Sequence, residues 1–172
     1  TPHSNEYQIH IRITIRSSIP NVPLPATFKN CTCCIIKPHA IIDGNLGSIL
    51  EHILKSKEFI VTAKAMYSVK LQNALEFYEI YKGVLPEYEV LYLSKCVILE
   101  VKCKDSSLNI VTAFRKLCGP REPEVARQLY PDTIRALYGK DTVHNAVHCT
   151  DLAEDGELEV EYFFKLLANE SM

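Results

Sequence analysis

Residues 144–164 of this chain read HNAVHCTDLAEDGELEVEYFF, and the rest of the sequence is arranged around them. The stretch opens with a short apolar run that carries His148 and predicts a buried strand. Apolar residues then recur at helical spacing; they are Val160, Phe163, Phe164 and Leu167. We therefore expect an amphipathic helix after the strand, with Asp155 as its N-terminal cap and Glu157 in its first turn.

His148 is the candidate nucleophile of the chain. A neutral imidazole can attack near pH 7 without prior deprotonation if one tautomer is held and aimed, and a carboxylate is the usual device for this. Glu159 lies beside Phe163 at the edge of the apolar stripe of the predicted helix, where a solvated charge is unusual. We expect Glu159 to turn inward toward His148; the alternative is a carboxylate that accepts from a backbone amide.

Composition is typical of a globular domain. The 172 residues fit one domain, and an apolar fraction of 47% is ample for a core. The formal net charge of −2 argues against a nucleic-acid partner and against a polybasic membrane anchor. The sequence has neither a run that could span a bilayer nor a signal-peptide pattern. Because the chain begins at Thr1 and not at a methionine, we expect it to be part of a longer protein.

The chain has seven cysteines, most of them in apolar runs where a free thiol behaves as a small hydrophobic group. This placement predicts reduced thiols and an intracellular protein. One alternative is a metal site at the CTCC run of residues 31–34, although it lacks the C-x-x-C pair typical of zinc sites. Another alternative combines His144, His148 and Cys149, but along a strand the two histidines would stand roughly 13 Å apart.

The predicted organisation has two parts, an N-terminal arm at residues 1–29 and a domain at residues 30–170. In the arm, isoleucines alternate with polar residues at 9–15, which predicts a strand. Three prolines at 20–25 then predict an extended connector. The arm is therefore either an edge strand or a linker from an upstream domain.

Strands and helices alternate along the predicted domain. Apolar runs predict strands at 32–36, 96–101 and 146–149, and alternation at 59–69 predicts a long strand with one buried face. Helices are predicted at 46–54, 72–82, 86–93 and 107–117, the last capped by Ser106 or Ser107, and residues 121–141 are predicted to be loop-rich. This order fits an α/β (α+β) ferredoxin-like sandwich, a four-stranded antiparallel sheet with helices packed over it. A small doubly wound parallel sheet is the alternative.

Positive side chains gather at the predicted turns. Lys37 stands at the tip of the first central strand, where an ammonium group can meet a phosphate or simply extend into solvent. Arg115 lies near the end of the helix that precedes residue 119. Three more arginines lie in the loop-rich segment; they are Arg121, Arg127 and Arg135. Because the sequence has neither G-x-G-x-x-G nor a P-loop, we expect these cations to hold any phosphate.

Three blocks of sequence together resemble the nucleoside diphosphate kinase family. They are IIKP at 35–38, PDTIR at 131–135 and NAVHCTD at 145–151. The N-x-x-H-x-[ST]-D pattern of the third block is the specific part, and the resemblance extends over roughly residues 30–168. In the individual residues within and around these blocks, the chain most resembles the second kinase-like domain of a family member associated with cilia and γ-tubulin.

The resemblance implies a ferredoxin-like fold and a ping-pong transfer of the γ-phosphate of a nucleoside triphosphate to a nucleoside diphosphate. His148 would be the phosphorylated nucleophile, Glu159 would orient its ring, Thr150 would support it by a hydrogen bond and Tyr78 would line the site beside it. The implied nucleotide-binding residues are Lys37, Arg115, Arg121, Arg135, Asn145 and, for base stacking, Tyr88. Mg²⁺ would be carried by the nucleotide phosphates and not by protein side chains.

The chain departs from the family pattern around the nucleophile. Arg121 replaces a threonine, Cys149 replaces a glycine, and His39-Ala40 replaces Asp-Gly. These changes favour an alternative function, a weakly active or silent kinase-like module within microtubule, axoneme or γ-tubulin assemblies. The expected partners are nucleotides, tubulin or the γ-tubulin complex, and a second copy of the chain. The expected location is the cytoplasm, at the cytoskeleton, centrosome or cilium.

Overall fold

The computed structural model describes residues 29–79 and 95–167. The predicted arm strand at 9–15, the predicted helix at 86–93 and Tyr88 lie outside the described residues, so they stay predictions. Four strands form one sheet; they are β1 (Cys31–Ile36), β2 (Phe59–Tyr67), β3 (Cys96–Cys103) and β4 (Val147–Cys149). The strand order is β2-β3-β1-β4 and each neighbouring pair is antiparallel, which confirms the ferredoxin-like sheet and excludes the parallel alternative.

Helices cover both faces of the sheet. They are α1 (Pro38–Ile42), α2 (Leu46–Lys55), α3 (Leu71–Phe77), α4 (Ile110–Cys118), α5 (Pro123–Leu129), α6 (Ile134–Tyr138) and α7 (Gly156–Glu161), with a 3₁₀ turn at Ala153–Asp155 before α7 and a π-helical turn at Tyr162–Leu167 after it. No helix in residues 29–79 and 95–167 has the length and apolarity needed to cross a bilayer.

Strand β1 lies at the centre of the fold and is buried along its whole length. Cys31, Cys33 and Ile35 pack in the core beneath α3 and α7. Cys34 and Ile36 pack in the opposite core beneath α2 and α4. A strand that is covered on both faces needs apolar residues at successive positions, which explains the continuous apolar run in the sequence.

Strand β2 has a β-bulge that the alternating sequence pattern does not reveal. Val61 pairs with Val101 and Ala63 pairs with Glu100, so Thr62 is left without a partner in the ladder. Because of the extra residue, the odd-numbered side chains of β2 point to opposite faces of the sheet before and after Thr62. Phe59 and Val61 pack in the core beneath α2 and α4, whereas Ala63 packs in the core beneath α3 and α7. The prediction of a single buried face at residues 59–69 is therefore wrong.

The segment at residues 121–141 is more helical than predicted, since it contains α5 and α6. Pro123 stands at the first position of α5, where a missing N–H costs nothing. Gly119 precedes the segment with φ = +85°, and a Cβ there would overlap the side chain of Thr133. Prolines and glycines therefore mark the ends of short helices here, not one continuous loop.

Candidate active site

His148 is held by a carboxylate across eleven residues of sequence. It lies in β4 opposite Ile35 of β1, with only 7% of its surface exposed. Its Nε2 lies 2.5 Å from Oε1 of Glu159, which stands on α7. Helix α7 can begin close to the sheet because its first residue is Gly156, where a Cβ would overlap the Cys31 carbonyl. A glycine at the start of the helix thus brings the carboxylate within reach of the imidazole.

The contact with Glu159 decides the tautomer of His148. An ionised carboxylate can only accept hydrogen bonds, so Nε2 must carry the proton that it donates to Oε1. The lone pair of a neutral ring is then on Nδ1. The imidazole is therefore ready to act as a nucleophile through Nδ1, and the carboxylate can balance the positive charge that develops on the ring.

Two aromatic rings fix the plane of the imidazole. Phe77, the last residue of α3, meets the His148 ring edge-on at a centroid distance of 5.3 Å. Tyr78 follows directly and meets the same ring at 5.7 Å with an interplanar angle of 86°. Tyr78 therefore lies where the sequence placed it, beside His148. Phe77 was missed because an apolar residue at the end of a helix gives no sign of a functional contact.

A strained turn leads into β4. The N–H of Val147 donates to the Asn145 carbonyl at 3.0 Å, which closes a three-residue γ-turn, and the central residue Ala146 has φ = +75°. This is the rarer form of the γ-turn, and it is costly for a residue with a side chain. The N–H of Ala146 points away from the turn and donates to Nε2 of His39 at 2.9 Å. His39 thus anchors the turn that positions Asn145 and His148.

His39 must stay neutral to accept this bond. Burial, helped by the nearby positive charge of Lys37 and Lys140 and by His144, lowers the pKa of His39 from 6.5 to about 4, although Asp43 opposes the shift. The His144 ring meets the His39 ring edge-on at 5.3 Å. In the sequence His39 appeared only as a departure from the family pattern, and nothing there signalled its contact with a residue 107 positions away.

His148 lines a small cavity of about 110 Å³ at the end of β4. The cavity is lined by Lys37, Tyr78, Arg115, Gly119, Pro120, Arg121, Arg135, Asn145, His148, Cys149 and Asp151. Four of these side chains are cations and one is a carboxylate, in a chain whose net charge is −2. Such a concentration of positive charge around one nucleophile favours an anionic ligand.

The cations are fixed mainly by backbone carbonyls, which leave their charge intact. Nζ of Lys37 donates to the Val143 carbonyl at 3.0 Å. Arg135 donates from Nη1 to the carbonyl of Gly119 at 2.9 Å and from Nη2 to the carbonyl of Val147 at 3.0 Å. Because carbonyls satisfy these donors without cancelling their charge, the cavity keeps a positive potential.

Two further lining residues differ in how they are held. Nη1 of Arg115 donates to the backbone carbonyl of Asp151 at 3.0 Å, and its Nη2 lies 3.9 Å from the Asp151 carboxylate. Nδ2 of Asn145 donates to the backbone carbonyl of Arg121 at 3.1 Å. The buried Oδ1 of Asn145 has no hydrogen-bond partner among the described residues, so it can accept from a ligand.

Thr150 does not support the imidazole in the way the sequence suggested. Its Oγ1 accepts from the N–H of Cys33 at 3.1 Å, and its own N–H donates to the Cys33 carbonyl at 3.3 Å. Strand β4 ends at Cys149, and these two bonds fix the following side chain against β1. The predicted hydrogen bond from Thr150 to His148 is therefore wrong, and any effect of Thr150 on the ring is indirect.

The two metal-site alternatives find no geometric support. No group of three or more histidine, cysteine, aspartate or glutamate side chains in the described part of the chain is arranged to hold a metal ion. His144 instead contacts Asp141 through Nδ1 at 3.1 Å. All seven cysteines are free thiols.

Comparison with known proteins gives consistent matches. The family model described as "Nucleoside diphosphate kinase" matches residues 30–168. "Nucleoside diphosphate kinase homolog 7" of Rattus norvegicus is 52% identical over 148 residues, which are 84% of this chain but only 36% of that protein. "Nucleoside diphosphate kinase 2" of Protochlamydia amoebophila is 33% identical over 136 residues, or 78% of this chain and 90% of that one. A crystal structure of the Aquifex aeolicus nucleoside diphosphate kinase superposes with a TM-score of 0.71 at 29% identity, covering 80% of this chain and 96% of that one.

Proposed function

Because this chain belongs to the nucleoside diphosphate kinase family, we propose that it transfers the γ-phosphate of a nucleoside triphosphate to a nucleoside diphosphate through a phosphohistidine on His148. One observation carries the proposal. The imidazole is held through Nε2 at 2.5 Å from Glu159, and the cavity beside it is lined by four cations. Phosphoryl transfer consists mostly of positioning and charge stabilisation, and this arrangement supplies both.

The reaction divides into two half-reactions at one atom. Nδ1 of His148 attacks the γ-phosphorus, the bond from that phosphorus to its bridging oxygen breaks, and the nucleoside diphosphate leaves. A second nucleoside diphosphate then attacks the phosphohistidine and regenerates the free imidazole. Glu159 keeps the proton on Nε2 throughout, which leaves Nδ1 as the only nitrogen that can be phosphorylated.

The remaining lining residues bind the nucleotide in this proposal. Lys37, Arg115, Arg121 and Arg135 contact the phosphates, and the unpartnered Oδ1 of Asn145 accepts from a ribose hydroxyl or a phosphate-bound proton. Arg121 supplies a bidentate donor in place of the compact threonine hydroxyl of the family. Tyr88 is the proposed base-stacking residue and lies outside the described residues.

The residues of the cavity fit Mg²⁺ that arrives on the nucleotide. Its lining contains a single carboxylate, Asp151, which already faces Arg115. The cavity therefore offers phosphate-binding cations and no carboxylate cage. When bound to the triphosphate, Mg²⁺ would neutralise phosphate charge and polarise the transferred group.

Steady-state kinetics test the proposal. Initial rates of phosphate exchange between GTP and ADP are measured while both concentrations are varied. A histidine intermediate predicts parallel lines in double-reciprocal plots and no activity for His148→Gln, whereas His52→Gln on α2 keeps the wild-type rate. Intersecting lines, or activity retained by His148→Gln, would contradict the proposed intermediate.

A second candidate function is a kinase-like binding module without phosphotransfer, located at the cytoskeleton and contacting tubulin, the γ-tubulin complex or a second copy of the chain. The size of the cavity favours it: about 110 Å³ suits phosphate groups but not a complete nucleotide, since ligand pockets usually exceed about 300 Å³. Calorimetry with ADP, followed by the exchange assay, separates the two functions. Binding without exchange supports the module, and exchange at a useful rate excludes a silent site.

A further inference from the structure

The backbone of Ala146 is bonded on both sides to the segment that begins α1. Its carbonyl accepts from the N–H of Lys37 at 2.9 Å, and its N–H donates to Nε2 of His39, also at 2.9 Å. The ammonium group of Lys37 adds a third bond to the same loop, since Nζ donates to the Val143 carbonyl at 3.0 Å. One of these three bonds is made by the His39 side chain, so its effect can be removed while the other two remain.

The imidazole of His39 is placed for this one contact. Because neutral His39 accepts through Nε2, its proton is on Nδ1. Nδ1 is buried and has no hydrogen-bond partner among the described residues. Oδ2 of Asp43 lies 3.9 Å from it, beyond hydrogen-bond distance, and instead contacts Nζ of Lys140 at 2.6 Å. A buried donor without an acceptor destabilises the fold, so the position of the ring favours the Ala146 contact over its own hydrogen bonding.

The turn needs such an anchor because its conformation is unfavourable for alanine. Ala146 has φ = +75°, a region in which the side chain of an L-residue is strained and glycine is not. Without His39, the N–H of Ala146 would lose its acceptor in a part of the molecule where Ala146 itself is fully buried. Strain and an unpaired donor would then act together, and both are relieved if the turn changes its conformation.

Asn145 and His148 do not depend equally on this turn. Asn145 supplies the carbonyl that closes it, and the buried Oδ1 of Asn145 has no partner among the described residues. Its Nδ2 is bonded to the Arg121 carbonyl, which belongs to a different loop. His148, in contrast, is paired with Ile35 in the ladder and bonded to Glu159 on α7. A relaxed turn should therefore move Asn145 and leave the imidazole of His148 in place.

We propose that His39 is a positioning residue for ligand binding, because its bond to Ala146 fixes the turn that holds Asn145 at the cavity. The role rests on the proposed function for the identity of the ligand, a nucleotide, and His39 itself contacts none of the reacting atoms. Loss of His39 should therefore weaken nucleotide binding and leave the phosphorylation of His148 at saturation unchanged. A residue that only stabilised the fold would not separate these two quantities.

Calorimetry with ADP and single-turnover phosphorylation at saturating ATP measure binding and chemistry separately. His39→Leu removes the acceptor but keeps a buried side chain, and we expect the dissociation constant of ADP to rise about tenfold. The rate of His148 phosphorylation should change by less than about twofold, because the bonds to Ile35 and Glu159 remain. His39→Gln should bind ADP as the wild type does, since its carbonyl can accept from the Ala146 N–H. His52→Leu on α2 is the control and should also bind normally.

A glycine at position 146 gives the sharper test. Ala146→Gly in the His39→Leu background removes the strain at φ = +75°, so the affinity for ADP should return to within about threefold of wild type. Lys57→Gly in the same background is the matched control. Lys57 has φ = +61° between α2 and β2 and does not line the cavity, so the change relieves similar strain elsewhere and should restore no affinity. Urea denaturation checks that each variant is folded.

Each outcome decides the role of His39. It is overturned if His39→Leu binds ADP as the wild type does, if both glycine variants restore binding equally, or if phosphorylation slows as much as binding weakens. Should His39→Leu fail to fold, the double variant with Ala146→Gly decides: affinity close to wild type supports the role, and weak binding contradicts it.

The same measurements separate this role from the proposed function. A wild-type protein that binds ADP but forms no phosphohistidine would contradict only the proposed function, and the binding data would still test His39. Normal transfer that is insensitive to His39→Leu would contradict only the role of His39. A wild-type protein that binds no ADP would contradict both.

Discussion

Nε2 of His148 and Oε1 of Glu159 lie 2.5 Å apart, and this contact joins the last strand of the sheet to the helix that follows it. Both residues are largely buried, with side-chain exposures of 8% and 11%. A short charge-assisted hydrogen bond between buried groups holds the imidazole in one tautomer and in one orientation. The contact therefore links the fold directly to the proposed chemistry.

Replacing Glu159 should slow chemistry more than it weakens binding. Glu159→Gln removes the negative charge that balances the developing positive charge on His148, so we expect phosphorylation in a single turnover to slow on the order of 10²-fold. Nucleotide affinity should change little, because Glu159 does not line the cavity. Glu154→Gln, on the exposed turn before α7, is the control and should keep the wild-type rate. An equal loss in both variants would contradict the role of Glu159.

Arg135 is expected to stabilise the fold as well as the site. Its guanidinium joins the carbonyls of Gly119 and Val147, and a lysine can reach only one of them. We expect Arg135→Lys to lower the free energy of unfolding by about 2 kcal/mol, as measured by urea denaturation. The control Arg115→Lys changes a side chain that is 53% exposed and should cost less than about 0.5 kcal/mol. Equal losses of unfolding free energy in Arg135→Lys and Arg115→Lys would contradict the stabilising role of the two carbonyls bound to Arg135.

Gly119 should tolerate no side chain. Gly119→Ala places a Cβ at φ = +85° and against Thr133, so strain and overlap add, and we expect a loss of roughly 3 kcal/mol in stability. Gly44→Ala has a similar φ of +80° but open space around it, and it should cost only about 1 kcal/mol. The difference between the two thermal or urea denaturation results measures the overlap alone. A Gly119 variant no worse than the Gly44 variant would contradict the close contact.

His39 should make stability depend on pH in a predictable direction. Because the pKa of His39 is lowered from 6.5 to about 4 in the folded state, the unfolded chain binds a proton that the folded chain does not between these two values. The contribution of neutral His39 to the free energy of unfolding is thus fully present above pH 6.5. It falls as the pH drops toward 4, by at most about 3 kcal/mol.

His39→Gln tests this linkage, since a glutamine carbonyl can accept from the Ala146 N–H but does not titrate. The difference in unfolding free energy between wild type and variant should shift in favour of the variant as the pH falls through this window. His52→Gln on α2 is the control and should follow the wild-type pH curve. Parallel curves for wild type and His39→Gln would contradict the linkage.

The sequence predicted the fold well where local pattern and tertiary packing agree. Strand β1 and the helical segment formed by α7 and the π-helical turn after it were predicted from apolar spacing, because the pattern marks residues that are buried in the fold, among them Val160, Phe163 and Phe164. The bulge at Thr62 depends on pairing with β3, which local alternation cannot reveal. Similarly, the predicted cap of α4 was Ser106 or Ser107, but Asn109 Oδ1 accepts from the Thr112 N–H and begins the helix.

The candidate site was predictable for residues that carry chemistry in their own type and spacing. The structure brings His148, Glu159 and Lys37 to one cavity region, as the sequence pattern suggested. Contacts that depend on packing were not predictable: His39 accepts from the Ala146 N–H, but in the sequence its type suggested only a departure from the family pattern. Contacts of this kind, between residues that are distant in sequence, position the site but leave no pattern in the local sequence.

The central claim is tested most directly by looking for the phosphorylated imidazole itself. The purified protein is incubated with γ-labelled ATP and Mg²⁺, separated from nucleotide, and mapped by peptide analysis. We predict a label that is stable in base, lost in acid, located on His148, transferred to added nucleoside diphosphate, and missing from His148→Gln but present in His52→Gln. An unlabelled wild-type protein that nevertheless binds ADP would contradict the claim, and so would a label on any other residue.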